Sequence, residues 1–431
     1  MNVFEIEGGF PLKGTIVAGG NKNAALPCIA ATLLTNDRII LKRVPEIEDV
    51  EVMFSILKKM GSEIKRLKPG EFSIQTNDIK NNEIPAQMAK DIRASILFAG
   101  PLLARTGQVT LPPPGGDIIG RRRLDTHFIA LSELGAGIKI DSVYRLVANK
   151  LVGKDLFLDE ASVTATENAI MAAVTASGIT VIQNAASEPH VQDLCNMLNS
   201  MNAKISGIGS NILKIEGVKK LSGTEFEIGA DYMEIGSLLG LIAVTRGEIT
   251  IEKINPLDLR MTKIVFAKLG IHWDIEGQTL HMNSGQDLKA VHDMGGMIPK
   301  IDDAPWPGFP ADLTSIVTVI ATQVDGTVLV HEKMFESRMF FVDKLISMGA
   351  RIVLCDPHRA VISGPSRLRG AALVSPDVRA GMALVIAALC AEGKSVIQNI
   401  YQIDRGYENL ADRLASLGAR IVRKDQDNID F

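Results

Sequence analysis

LASLGARI, at Leu414–Ile421, compresses a helix ending, a turn and the start of a strand into one short phrase. It has five counterparts: ILKKMGSEI at Ile56–Ile64, LSELGAGIKI at Leu131–Ile140, LNSMNAKI at Leu198–Ile205, FAKLGIHW at Phe266–Trp273 and LISMGARI at Leu345–Ile352. The turn residue is Gly61, Gly135, Asn202, Gly270, Gly349 or Gly418, in steps of 74, 67, 68, 79 and 69 residues. Each copy reads as an amphipathic helix closed by a residue that tolerates left-handed backbone, then an alternating strand. Six copies at near-even spacing are an internal repeat, and the repeat governs the architecture.

Half a repeat before each copy lies a second feature: a polar start, an apolar helix, a turn and a β-rich run. The six are NKNAALPCIAATLLT, DIRASILFAGPLLARTGQVTL, ATENAIMAAVTASGITVI, ADYMEIGSLLGLIAVTRGEITI, ADLTSIVTVIATQVDGTVLV and DVRAGMALVIAALCAEGKSVI. These helices are apolar nearly all round and belong inside a core. The unit therefore reads strand, buried helix, strand, outer helix, two strands. The expected fold is α/β, with sheets surrounding central helices and three repeats per domain. The polar helix starts would converge on a shared cleft. Helix N-termini carry partial positive charge and unpaired N–H groups, so anionic substrates are expected between the domains.

The totals agree with an ordinary globular chain. It has 431 residues, 46% hydrophobic and 22% charged, with a net charge of −4. That charge gives no sign of nucleic-acid binding, so an anion site has to be a local cluster. The N-terminus MNVFEIEGGFPLKG lacks the pattern of a signal peptide, and runs such as MALVIAALC are too short to span a bilayer. Cys28, Cys195, Cys355 and Cys390 have no metal-ligand spacing; Cys28 and Cys390 read as packed thiols. A cytoplasmic protein without metal, cofactor, nucleic-acid or membrane partner, and a monomer, is expected. Phosphate-loop, dinucleotide and HExxH motifs do not occur.

The helix starts carry Lys22 and Asn23, Asp91 and Arg93, Glu167 and Asn168, Asp231, Asp312, and Asp377 with Arg379. Arg338 and Arg405 are read as opening outer helices. The carboxylates suit caps or first-turn positions, Asp231 and Asp91 above all. Basic residues there oppose the helix dipole and need a compensating anion or carboxylate. Lys22, Arg93, Arg122, Arg338 and Arg405 suit a small ligand bearing phosphate and carboxylate. His127 either lines the cleft or is structural, and Trp306 either supports Asp312 or meets a ligand. Between Leu111 and Phe128 runs PPPGGDIIGRRRLDTHF: stiff prolines, two glycines read as freeing the backbone, Asp117, then Arg121, Arg122 and Arg123.

GGNKNAALP, RAS at Arg93–Ser95, PGGDIIGRRRLD, FPADL, FESR, PDVRAG and IDRGYE, in this order, resemble the UDP-N-acetylglucosamine enolpyruvyl transferase (1-carboxyvinyltransferase) family over the whole chain. The resemblance implies an inside-out α/β barrel of two domains. The first holds 1–20 and 230–431, with Asp312, Arg338, Asp377 and Arg405; the second holds 21–229, with Lys22, Arg93 and the Asp117 loop. It implies transfer of the enolpyruvyl group of phosphoenolpyruvate to the 3-hydroxyl of UDP-N-acetylglucosamine, the first committed step of peptidoglycan synthesis. Lys22-Asn23, where the shikimate-phosphate relative has Lys-Ser, favours the amino-sugar nucleotide.

Carried onto matching positions, Asp312 is the base. Lys22, Arg93 and Arg122 hold the phosphate side of phosphoenolpyruvate, and Arg338 and Arg405 its carboxylate. Asp377 assists proton transfer. UDP-N-acetylglucosamine falls to Asn23, Arg93, Arg123, Leu124, Asp125, Thr126, Ser162, Val163, Thr164, Asp312 and Met334. Asp117 stands where most members carry the cysteine that fosfomycin alkylates, so resistance is expected. The adjacent arginines favour its ionised form, whereas a proton donor has to be protonated. Glu160, His190, Tyr232 and Trp306 also depart from the family's usual residues, with Arg121 or Lys154 as replacement charge for Glu160. Two other readings stay open: a paralogue with another acceptor, and a non-catalytic ligand-binding homologue.

Overall fold

The computed structural model describes residues 2–117, 119–120 and 123–425. Two compact units divide the chain near Gly19/Gly20 and Gly229/Ala230, and Ile119–Gly120 group with the first unit rather than with the rest of their loop. Each unit has its own apolar core.

The helices expected to be buried are buried. In the first unit, Tyr232–Val244 and Thr314–Ala321 are buried along their whole length, and Val378–Cys390 everywhere but at Cys390. These three contact one another. In the second unit the counterparts are Lys22–Ala31, Ala99–Thr106 (entered through the 3-10 turn Arg93–Phe98) and Val163–Ala173. A helix with no polar face has nowhere to go but between other elements.

Sheets surround these helices, giving the inside-out α/β arrangement. The sheet order has one rule. In the sheet Lys300–Asp302, Gly326–His331, Arg359–Gly364, Ile352–Asp356, the strand before the buried helix pairs parallel with the strand after it. The last strand of the repeat then inserts antiparallel between that strand and its own predecessor. Asp155–Phe157, Ile179–Gln183, Ile212–Glu216 and Lys204–Ser206 repeat the rule in the second unit. In the repeat of Gln108–Leu111, the leading strand shrinks to a parallel bridge from Glu83 to Thr110.

Where the chain changes unit, leading strands are exchanged. Lys13–Val17 precedes the helix Lys22–Ala31 but pairs with Glu248–Glu252 of the first unit. Glu225–Glu227 precedes Tyr232–Val244 but pairs with Ile39–Lys42 of the second. The sixth repeat has its last strand supplied from the other end of the chain. Asn2–Glu7 inserts between Lys394–Gln398 and Arg420–Asp425.

All six turn residues of the repeat adopt positive φ, from 70° at Asn202 to 109° at Gly135. The expected helix at Arg405 is a correction. Arg405 lies just past the single turn Tyr401–Asp404, and the outer helix Leu410–Ser416 begins only after Asn409, itself at φ 44°.

Candidate active site

In the second unit, Asn21 caps the helix Lys22–Ala31 by accepting the Ala24 N–H at 3.1 Å. Lys22 then occupies the first helical position, buried against the dipole. The compensating carboxylate is Asp49, on the outer helix Glu48–Met60, with Oδ2 2.6 Å from Lys22 Nζ. Both side chains are at most 10% exposed, so this ion pair is shielded. Asn23 is half-buried beside it.

Arg93 opens the 3-10 turn Arg93–Phe98, and its Nη2 donates to the Arg123 main-chain oxygen at 3.0 Å. Gly115 and Gly116 sit over the same segment. Gly115 N–H donates to Ala89 O at 2.8 Å. A Cβ on Gly115 would lie 1.8 Å from Lys90 O, and one on Gly116, at φ +105°, would lie 2.9 Å from Arg93 Cβ. These glycines therefore do not loosen the loop; they let its backbone seat where a side chain would collide. Asp117 follows, half-buried. Arg121 and Arg122 lie outside the described residues.

Arg123 pairs with Asp125 (2.9 Å) and Asp159 (3.1 Å), and Thr126 Oγ1 donates to Asp159 Oδ1 at 2.7 Å. Asp159 thus fixes the strip Arg123–Thr126, with Leu124 half-buried within it. Ser162 precedes the helix Val163–Ala173 without a side-chain cap bond. Glu160 is exposed, and Lys154 is paired with Glu133 at 3.2 Å.

His127 is structural. Only 1% exposed, its Nδ1 meets Asn168 Nδ2 at 2.9 Å and its Nε2 meets Thr164 Oγ1 at 3.1 Å. Asn168 Nδ2 also donates to Ile96 O, so Nδ1 is the acceptor and the ring proton sits on Nε2. Burial, with Arg93 adding to it, pushes the imidazole down to about 3.

In the first unit, Asp312 lies in the turn Ala311–Leu313 before the buried helix Thr314–Ala321. Its two oxygens hold two arginines: Oδ1 to Arg338 Nη1 at 3.0 Å, Oδ2 to Arg379 Nε at 2.9 Å. Burial alone would raise its pKa; the two guanidiniums overcome that and hold the carboxyl well below its usual range. Against the same burial, Asp312 raises both arginines. Arg338 also donates to Ala311 O at 3.2 Å, and Arg379 to Tyr407 OH at 3.2 Å.

Asp377 is a true N-cap, accepting Arg379 N–H at 2.8 Å and Ala380 N–H at 3.0 Å. Asp231 caps Tyr232–Val244 likewise. Asp91 does not cap; it is the exposed last residue of Ala86–Asp91, near Gln87. Arg405 is buried, with Nη1 on Gln402 Oε1 at 2.8 Å. Trp306 packs edge-on against Tyr232, ring centroids 5.7 Å apart. Met334 is 42% exposed.

Asp312, Arg338 and Asp377 thus gather in the first unit, and Arg405 is buried on the same side of the domain division. In the second, Arg93 meets the Arg123 strip, and Lys22 opens the helix that packs against the turn Arg93–Phe98. Sequence reasoning missed the counter-charges Asp49 and Asp159, and it gave Arg379 no site role. Chemically, the first unit holds an ionised carboxylate whose basicity is suppressed by two anion-seeking groups. Any anion that draws an arginine away strengthens the base. Among the described residues no cysteine joins either cluster: Cys28 and Cys195 are buried, and burial pushes Cys195 and Cys390 up to about 12.

Comparison with known proteins gives the family and the fold. Residues 6–414 match the family described as EPSP synthase (3-phosphoshikimate 1-carboxyvinyltransferase). A protein of Treponema denticola named UDP-N-acetylglucosamine 1-carboxyvinyltransferase is 65% identical, over 99% of this chain and 100% of that one. One of Treponema pallidum with the same name is 61% identical, over 98% and 100%. The crystal structure of the enolpyruvyl transferase NikO from Streptomyces tendae shares the fold, with a TM-score of 0.86 at 20% identity, over 98% of this chain and 99% of that one.

Proposed function

The chain belongs to the enolpyruvyl transferase family that includes EPSP synthase and the UDP-N-acetylglucosamine 1-carboxyvinyltransferases, and we propose that it transfers the enolpyruvyl group of phosphoenolpyruvate to the 3-hydroxyl of UDP-N-acetylglucosamine. The observation that carries the acceptor assignment is the 65% identity, over 99% of this chain and 100% of the other, to a relative bearing that name. Two clusters suit the chemistry, Lys22 with Asp49 and Asp312 with Arg338 and Arg379; the remaining roles follow the family resemblance. Lys22, Arg93 and Arg122 take the phosphate, Arg338 and Arg405 the carboxylate. The nucleotide lies along Arg123–Thr126 and Ser162–Thr164, with Asn23 and Met334 at the sugar.

In this reading the carboxylate of phosphoenolpyruvate competes with Asp312 for Arg338. Released from one guanidinium, Asp312 becomes basic enough to take the 3-hydroxyl proton as oxygen attacks C2. Asp117 delivers a proton to C3, giving a tetrahedral ketal phosphate. Loss of the C3 proton and of phosphate completes the exchange, while the cations stabilise the anions throughout. Asp377, already capping a helix, holds Arg379 in place and assists the proton movement. The product would feed peptidoglycan synthesis in the cytoplasm.

Mass spectrometry of the product tests the acceptor. UDP-N-acetylglucosamine is expected to gain one enolpyruvyl group; modification of a different sugar nucleotide in its place would overturn the assignment. A carboxylate is also a weaker nucleophile than a thiolate toward an epoxide. Fosfomycin is therefore expected to leave the wild type active and to inactivate Asp117→Cys. Inactivation of the wild type at doses that stop cysteine-type enzymes would refute this.

A further inference from the structure

Behind Arg338 lies a second acid that the proposed chemistry does not use. The parallel strands Lys300–Asp302 and Gly326–His331 pair Asp302 with His331, so the next residues, Asp303 and Glu332, emerge side by side at their ends. Both are 0% exposed. Together they hold the backbone leading to Arg338. Asp303 accepts the N–H groups of Lys333 (2.5 Å) and Met334 (3.2 Å); Glu332 Oε1 accepts those of Met334 (3.3 Å) and Phe335 (3.2 Å). The other oxygen, Glu332 Oε2, faces Arg338 Nε at 3.9 Å. That is too long for a hydrogen bond. Neither atom has a hydrogen-bond partner among the described residues, and neither does the buried Thr314 Oγ1.

Arg338 thus lies between two carboxylates, held by Asp312 at 3.0 Å and faced by Glu332 at 3.9 Å without a hydrogen bond. We propose that Glu332, with Asp303 beside it, is a positioning residue for Arg338: neutral, it leaves the guanidinium to Asp312 and the anionic substrate, and ionised, it draws the guanidinium away from both. The inference rests on the reading that Arg338 binds the carboxylate of phosphoenolpyruvate.

The surroundings agree. Burial pushes Glu332 up to about 8, Arg338 pulling down and Asp303 pushing up. Asp312, Asp377 and Arg379 act on Arg338. Lys333 turns its ammonium to Asp302 at 2.9 Å, and His358 Nδ1 meets only the main-chain oxygen of Glu332, at 2.8 Å.

The test is the KM for phosphoenolpyruvate against pH in wild type, Glu332→Gln and Asp303→Asn. In wild type KM rises above pH 8, at most ~10-fold per pH unit. Glutamine mimics the neutral acid, so E332Q is flat over that range. Asp303→Asn removes the charge that keeps Glu332 protonated, so its rise moves to lower pH. A merely structural role would change KM by a pH-independent factor in both variants, and that result overturns the proposal. The infrared band of a protonated carboxyl provides a readout that needs no turnover. It titrates near pH 8 in wild type and is missing in E332Q. Absence of that titration in wild type refutes the proposal even if the enzyme is active; its presence in a protein without enolpyruvyl transfer faults the assigned reaction instead.

Discussion

Asp312, the base of the proposed reaction, starts as a poor one, because Arg338 and Arg379 hold its two oxygens. Asp312→Asn keeps the shape and removes the proton acceptor. Steady-state kinetics should show kcat lower by ~10²–10⁴-fold, the usual range for a general base. Since the carboxyl titrates below its ordinary range, the pH profile of kcat/KM should show no acid limb from Asp312 above pH 4 (the ordinary carboxylate pKa is about 3.9). Asp117→Asn should lower kcat through loss of proton delivery; an unchanged rate and pH profile would remove Asp117 from catalysis. His127 gives a stability prediction with a definite sign. Its folded pKa, about 3, lies below the unfolded value, so the unfolded chain binds the extra proton first. The stability contribution is present above pH 6.5 and is lost as pH falls toward 3, at ~1.4 kcal/mol per pH unit. Denaturant melts of His127→Gln should lack this acid slope. At this scale the sequence was half legible. A basic residue at a helix start announces that something must balance it, which singled out Lys22. The balancing group is not announced: Asp49 meets Lys22 from the outer helix of the same repeat, and Arg379 meets Asp312 from a different one. Glu332 gave no signal at all, since its role depends on the pairing of two strands.

The elements were read more fully, because periodicity reports burial directly. Helices without a polar face had to be central, and each Gly or Asn turn had to be left-handed. What could not be read was strand exchange, since a strand's pattern shows which face it buries and not which partner it meets. Asn2–Glu7 is the clearest case: it completes the last sheet from the other end of the chain, with Val3, Phe4 and Ile6 fully buried. Burying three such side chains contributes ~5–9 kcal/mol, comparable with a domain's whole stability. Deleting residues 2–7 should therefore leave the first unit open to limited proteolysis, and a resistant deletion variant would contradict the sheet order. The glycine loop corrects its sequence reading. Gly115→Ala forces a methyl against Lys90 O, and moving the loop should reduce kcat/KM by up to ~10²-fold. The melting temperature should change modestly, because overpacking at one site costs ~1–3 kcal/mol.

For the whole molecule, six repeats form two units, divided near Gly19/Gly20 and Gly229/Ala230, with Ile119–Gly120 also grouped with the first. The proposed reaction assigns phosphate-side cations to one unit, and the base with the carboxylate-side arginines to the other. It therefore requires both units for a single turnover. The fold and family were legible because the motifs run in order from one end of the chain to the other. The acceptor was less so, because the sequence reading rested it on a few residues, among them Glu160, His190, Tyr232 and Trp306, that were expected to depart from the usual choice. Phosphate release from phosphoenolpyruvate, measured with and without UDP-N-acetylglucosamine, tests the central claim most directly. The account predicts release that depends on the acceptor and collapses in Asp312→Asn. Release that ignores the acceptor, or none with both substrates present, would contradict it.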